Sequence, residues 1–157
     1  MYKKLLLAYD GSTEGRLALR EGAKLARLCR AEVFLLAVVE LSTGIVIAEG
    51  AAAGVVENQG EDYQQVLREG THRLEALGFQ QPMARLEYGN PAHKIAEAAR
   101  EIGADLVVVG HRNQSSLARW WNGSVGASLL EELRCSLLIA QIDVDEEREE
   151  SEVPSAE

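Results

Sequence analysis

Four consecutive apolar residues, Leu106-Val107-Val108-Val109, constrain this chain more than any other feature, because nothing polar interrupts them and Gly110 closes the run. Successive side chains on a strand point to opposite faces, so a strand without polar alternation must be covered on both sides. Helices supply that cover. Leu5-Leu6-Leu7-Ala8, Val33 to Val39 and Ser136 to Ala140 read the same way, while Ala84, Leu86 and Tyr88 alternate with Arg85 and Glu87 as in a half-exposed edge strand. The stretches between these runs carry apolar residues at helical spacing. Ser12 is a good N-cap for a helix through Ala18, Gly22, Leu25, Ala26 and Cys29, whose basic stripe of Arg16, Arg20, Lys24 and Arg27 reads as a solvated face. A second helix is expected from about Glu57 to a stop at Gly78, marked by Tyr63, Val66, Leu67, Gly70, Leu74 and Leu77. A third starts at Asn90-Pro91, buries Ile95, Ala96, Ala99 and Ile102, and ends at Gly103. A last one carries Val125, Leu129, Leu130 and Leu133. The order β-α-β-α-β-α-β-α-β implies an α/β fold, a single doubly wound parallel sheet of five strands with right-handed crossovers. The run at Leu106, as the most apolar, is expected to be central.

The stretch from Glu40 to Val56 has glycines, alanines and no sustained period, so two readings stay open: a lid over a ligand site, or a partly helical, partly disordered crossover. The chain's 157 residues suit one domain, expected over 1–142, which needs no disulfide to bury a core. Cys29 and Cys135 lie in apolar patterns and read as small buried thiols, which points to a reducing, cytoplasmic setting. The first apolar run is stopped by Asp10 too early for a signal peptide, and no stretch has the length of a membrane span. The formal charge of −9 is concentrated in residues 143–157, where eight acids stand against one arginine; the body is nearly neutral. That body shows no footprint for nucleic acid, and the polar, self-repelling tail is expected to be disordered and solubilising.

Three strand ends carry ligand-type groups: Asp10-Gly11-Ser12, Val38-Val39-Glu40, and the stretch from Gly110 to Ser124. If the first and fourth strands are neighbours, the strand order reverses between them and opens a crevice. Gly110 would allow close backbone approach to a sugar or phosphate, and Gly123-Ser124 would offer N–H groups and a hydroxyl at a helix start. Asp10 could accept from a base or ribose, or hold a cation beside phosphates. Arg112 is the nearest cation for a phosphate, with a solvated loop arginine as the alternative. His111 reads as a loop anchor, Trp120-Trp121 as a ligand cover, a dimer contact or internal packing, and His72 and His93 as surface residues without a metal.

These residues also carry a family resemblance. After the fourth strand, Gly110-His111-Arg112-Asn113, nine residues and Gly123-Ser124 resemble the Gly-x2-Gly-x9-Gly-Ser/Thr pattern of the universal stress proteins. Asp10-Gly11-Ser12, Gly89-Asn90-Pro91, Ala104 to Gly110 and Cys135 to Ile139 are similar to other landmarks of that family, and the likeness runs from Lys3 to Ile142. Asn113 replaces the second glycine, and asparagine tolerates left-handed backbone better than other side-chain-bearing residues. The resemblance implies the strand order 3-2-1-4-5 of Rossmann-like, adenine nucleotide alpha hydrolase-like sheets, a homodimer through the fifth strand, and, in the branch that keeps the glycine motif, ATP binding; ADP or AMP are the alternatives, and Mg is the cation that Asp10 could hold. By the same resemblance Asp10 and the backbone of Val38 and Val39 would hold adenine. The segment from Gly110, including Arg112 and Asn113, would meet ribose and phosphates, and Gly123, Ser124 and Val125 would bind phosphates.

Enzymatic chemistry has thin support. There is no Gly-x4-Gly-Lys-Ser/Thr loop, no lysine between Gly110 and Ser124, and no nucleophile with a base beside it. His93-Lys94 does not make the histidine signature of adenylyl-transferring proteins with similar sheets. At most slow ATP hydrolysis is expected. The sequence therefore leaves two readings: a nucleotide-binding regulatory module in the stress response whose state alters dimer or partner contacts, or an interaction dimer of the same fold that binds no nucleotide.

Overall fold

Each strand of this protein divides its side chains between two helical layers, which is why its apolar runs lack polar alternation. The computed structural model describes residues 1–40, 52–110 and 129–141, without the side chains of 52–59. The elements are β1 (Lys4–Ala8), α1 (Thr13–Cys29), β2 (Glu32–Glu40), α2 (Ala52–Ala76), β3 (Met83–Gly89), α3 (Pro91–Ile102), β4 (Leu106–Gly110) and β5 (Ser136–Ala140), with residues 129–132 helical ahead of β5. All strand pairs are parallel, in the order β3-β2-β1-β4-β5. Leu5, Leu7, Leu35 and Val108 pack under α1 and α2 with Ala18, Leu19, Ala26, Leu67 and Leu74. Leu6, Leu36, Val107 and Val109 meet Ala92, Ile95, Ala96 and Ala99 of α3, with Leu129, on the other face.

The helix ends follow from their residues. Ser12 is the N-cap of α1, and Asn90 caps α3 by accepting from the His93 N–H, with Pro91 at the first helical position. Gly103 closes α3 in the left-handed conformation, whereas Arg30 takes that role after α1 at φ 55°. Asp105 fastens the amino ends of three strands. Its two carboxylate oxygens accept from the Lys3 and Lys4 N–H groups at 2.8 and 3.1 Å, its own N–H donates to the Lys4 carbonyl, and its carbonyl accepts from Ser136.

Several sequence expectations are refined. β4 is buried along its length yet lies one place off centre, and β1 is the middle strand. The second helix begins at Ala52 rather than near Glu57; Ala52 and Ala53 are strong helix formers that Gly54 obscures in a search for periodicity. The thiols of Cys29 and Cys135 are free and half-buried, not buried. On β3 the alternation is blunted: Leu86 packs toward the α2 layer, while Arg85 and Glu87 pair with Glu101 and Lys94 of α3. The basic stripe of α1 is not wholly solvated, because Arg16 bonds Glu69 of α2 at 3.0 Å and Arg27 donates to the Leu77 carbonyl at 2.9 Å.

Burial would raise the Asp105 carboxyl, but the Lys3 and Lys4 N–H groups outweigh it and hold the group below its ordinary range. A carboxyl lowered by folding contributes stability that is present above its unfolded value of about 3.9 and is lost as pH falls through the folded value. Asp105→Asn should therefore cost about 1 kcal/mol at neutral pH, the net worth of a hydrogen bond. The gap between variant and wild type in urea midpoint should narrow below about pH 4; a gap that is constant from pH 7 to 3 would contradict this assignment.

Candidate functional site

The strand order reverses between β1 and β4, the point at which a parallel α/β sheet opens a crevice beyond the carboxyl ends of its strands, here those of β1, β2 and β4. The strands end at unequal heights there. β1 ends at Ala8, opposite Leu36, and the Tyr9 N–H makes one more bond to the Leu36 carbonyl at 2.8 Å. β2 continues to Glu40. Alternate residues of a strand direct their N–H and C=O groups to the same side, so those of Val38 face the β1 side beyond that last bond. Val39 is buried, with 1% exposure, and its Cα partner is Tyr88 of β3.

Asp10 turns the chain out of β1. The Ser12 N–H donates to Asp10 Oδ1 at 3.0 Å and the Ser12 hydroxyl donates to the same oxygen at 2.5 Å. Ser12 Oγ in turn accepts from the Gly15 N–H at 3.0 Å. One serine thus caps α1 and holds the carboxylate through Oδ1. Gly11 has φ +76°, a conformation that favours glycine, and lies against Val66 of α2. A Cβ on Gly15 would run into Asp10 Oδ1 and stand 3.1 Å from Ser12 Oγ.

Gly110 is needed for an internal reason. A Cβ there would lie 2.5 Å from the Glu14 carbonyl oxygen and 2.9 Å from the Gly15 nitrogen, so the first turn of α1 packs directly on the end of β4. The sequence suggests close approach of a ligand at this glycine; the approach seen is that of the helix backbone. Behind Asp10, Tyr9 is buried, and its hydroxyl makes no hydrogen bond among the described residues. Burial raises the Tyr9 hydroxyl above its ordinary value, offset in part by Arg16 beside it. Arg16 and Arg73 both reach Glu69 Oε1, at 3.0 and 2.8 Å, and close the α1–α2 seam over this ring.

The structure thus brings Asp10, Val38, Val39 and Gly110 to one end of the sheet. Arg112, Asn113, Gly123, Ser124 and Val125 lie outside the described residues, as do His111, Trp120-Trp121, residues 41–51 and the acidic tail. His72 is exposed, and His93 Nδ1 lies 2.9 Å from Glu132 Oε2. Among the described residues no group of three or more His, Cys, Asp or Glu is placed to hold a metal, and no helix is long and apolar enough to cross a membrane. Ser12 is legible in the sequence as a helix cap and as part of a ligand-type strand end, but its hold on the Asp10 carboxylate and the closeness of Gly15 are not. The signal was present in Asp-x-Ser, the spacing at which an Asp side chain bonds the backbone two residues on.

Fold and crevice together define a doubly wound α/β domain of the Rossmann-like class. More particularly, the chain belongs to the universal stress protein family, whose model matches residues 1–141. A universal stress protein of Methanocaldococcus jannaschii is 30% identical over 142 residues, covering 90% of this chain and 83% of the relative. The universal stress protein YxiE of Bacillus subtilis is 32% identical over 151 residues, covering 90% of this chain and all of the relative. Among solved structures, a universal stress protein in complex with cAMP superposes with a TM-score of 0.67 at 26% identity, covering 88% of this chain and 97% of that one.

Because backbone atoms cannot move aside as a side-chain tip can, Gly110→Ala should force α1 away from β4 and destabilise the protein by about 1–3 kcal/mol, the usual range for overpacking. Denaturant unfolding measures this directly. A variant as stable as wild type would show that α1 has room to withdraw.

Proposed function

We propose that the crevice binds an adenine nucleotide and that the protein is a regulatory module of the stress response, acting as a homodimer, with no catalysis beyond slow ATP hydrolysis. The observation that carries this reading is the overrun of β2 past β1. It leaves the N–H and C=O of Val38 directed into the crevice, a donor–acceptor pair of the kind that reads the edge of a purine. Asp10 Oδ2 adds a carboxylate acceptor for a ribose hydroxyl or an exocyclic amine. The cAMP complex of a 26% identical relative supports an adenine nucleotide as the ligand class.

ATP is the nucleotide favoured by the Gly110 to Ser124 spacing, with Arg112, Asn113, Gly123, Ser124 and Val125 assigned to ribose and phosphates. An accompanying Mg²⁺ fits a single carboxylate, since that ion is commonly held by one or two carboxylates together with substrate phosphates and waters. For the dimer, β5 pairs on one side with β4 and lies at the end of the sheet, with Leu137, Leu138 and Ile139 half-exposed. A second copy adding strand to strand would cover them. The cytoplasm is the setting assigned to this module.

Calorimetric titration of the full chain with ATP, ADP, AMP and cAMP tests the reading, together with mass spectrometry of extracts from freshly purified protein. At least one of these nucleotides should bind, and Asp10→Ala should weaken it about tenfold, equivalent to about 1.4 kcal/mol. No heat of binding at high micromolar concentration of any of the four, with no nucleotide in the extracts, would overturn it.

A further inference from the structure

We infer that Ser12 is a positioning residue for the nucleotide crevice, acting through Asp10; this rests on the reading of the crevice as a nucleotide site. A serine hydroxyl has one proton to give and two lone pairs. Here the proton goes to Asp10 Oδ1 and a lone pair receives the Gly15 N–H. The Ser12 backbone N–H reaches the same carboxylate oxygen. The end torsion of an aspartate is broad and weakly staggered, so a free carboxylate turns readily. Two donors on one oxygen fix that torsion and assign the oxygens different tasks, Oδ1 to the turn and Oδ2 to the ligand. A steric wall completes the fixation, because the Gly15 α-carbon stands so close that a Cβ there would collide with Oδ1.

Capping and positioning are separable by substitution. Glycine at an N-cap costs only a few tenths of a kcal/mol relative to serine, while alanine costs about 1 kcal/mol. Neither has a hydroxyl to give Asp10. Threonine retains both functions. A residue that only capped α1 would therefore leave ligand affinity intact in the glycine variant, whereas a positioning residue would not.

The test is calorimetric titration with ATP, ADP, AMP and cAMP of the full-length wild type, Ser12→Ala, Ser12→Gly and Ser12→Thr, with thermal melting of each. We expect Ser12→Ala and Ser12→Gly to bind about fivefold more weakly or worse, within the range of coupling seen for residues in one hydrogen-bonded network. Ser12→Gly should melt close to wild type, and Ser12→Thr should restore affinity. Wild-type affinity in Ser12→Gly, or a loss in Ser12→Thr equal to that in Ser12→Ala, would overturn the positioning role while leaving the nucleotide reading in place. A wild-type protein that binds none of the four nucleotides would overturn both.

Discussion

The structure depends on β1 being apolar on both faces at the centre of the sheet. Leu5, Leu6 and Leu7 are exposed by no more than 2%, and they alternate between the α1–α2 layer and the α3 layer. Burying each contributes about 1.5–3 kcal/mol, so a polar residue at any of the three would expose the fold to one of its larger possible losses. The same constraint sets the direction of the chain. A strand covered on both faces needs a crossover helix to reach each parallel neighbour, and β1 has one neighbour on either side, β2 and β4. The reversal of order that makes the crevice is thus a consequence of placing the first strand in the middle.

The crevice has depth because β1 is the shortest participant at that end. Its apolar run stops at Ala8 and the chain leaves the sheet at Asp10, while β2 keeps its pairing with β3 as far as Glu40 and Gly89. The chain then has to enter α1 over the end of β4. That step is sterically tight, since the Glu14 carbonyl and Gly15 nitrogen lie on the α-carbon of Gly110. Asp10, the helix start and the strand end are consequently one packed unit, and none of them can be moved alone.

The amount legible in the sequence follows from how local each signal is. Strands were readable because double burial leaves uninterrupted apolar runs, and the caps at Ser12, Asn90 and Gly103 because each depends on residues a few positions apart. The start of α2 was not, since Ala52 and Gly54 give no periodicity and the helix is specified there by backbone propensity. Nor was the α1–α2 seam: Arg16 and Glu69 are 53 positions apart and look like any two surface charges until the helices are packed. The placement of Asp10, Val38 and Gly110 at one end of the sheet was legible from topology. The reason for Gly110 was not, because a glycine required by the Glu14 backbone and one required by a ligand read identically.

Gly15 shows how stability and recognition are traded within this turn. Glycine inside a helix costs about 1 kcal/mol relative to alanine, and nothing in the torsions of α1 requires it. Helix stability alone would favour alanine. The residue makes sense through its neighbours: an added Cβ would displace the Asp10 carboxylate from the Ser12 hydroxyl, and the Gly15 N–H is itself the donor that Ser12 caps. A helix optimised for its own stability would therefore misplace the one carboxylate that β1 delivers to the crevice. The weak helix former at the third position of α1 is thus explained by the packing of the Asp10 turn, and it ties together the first seven residues after β1 ends.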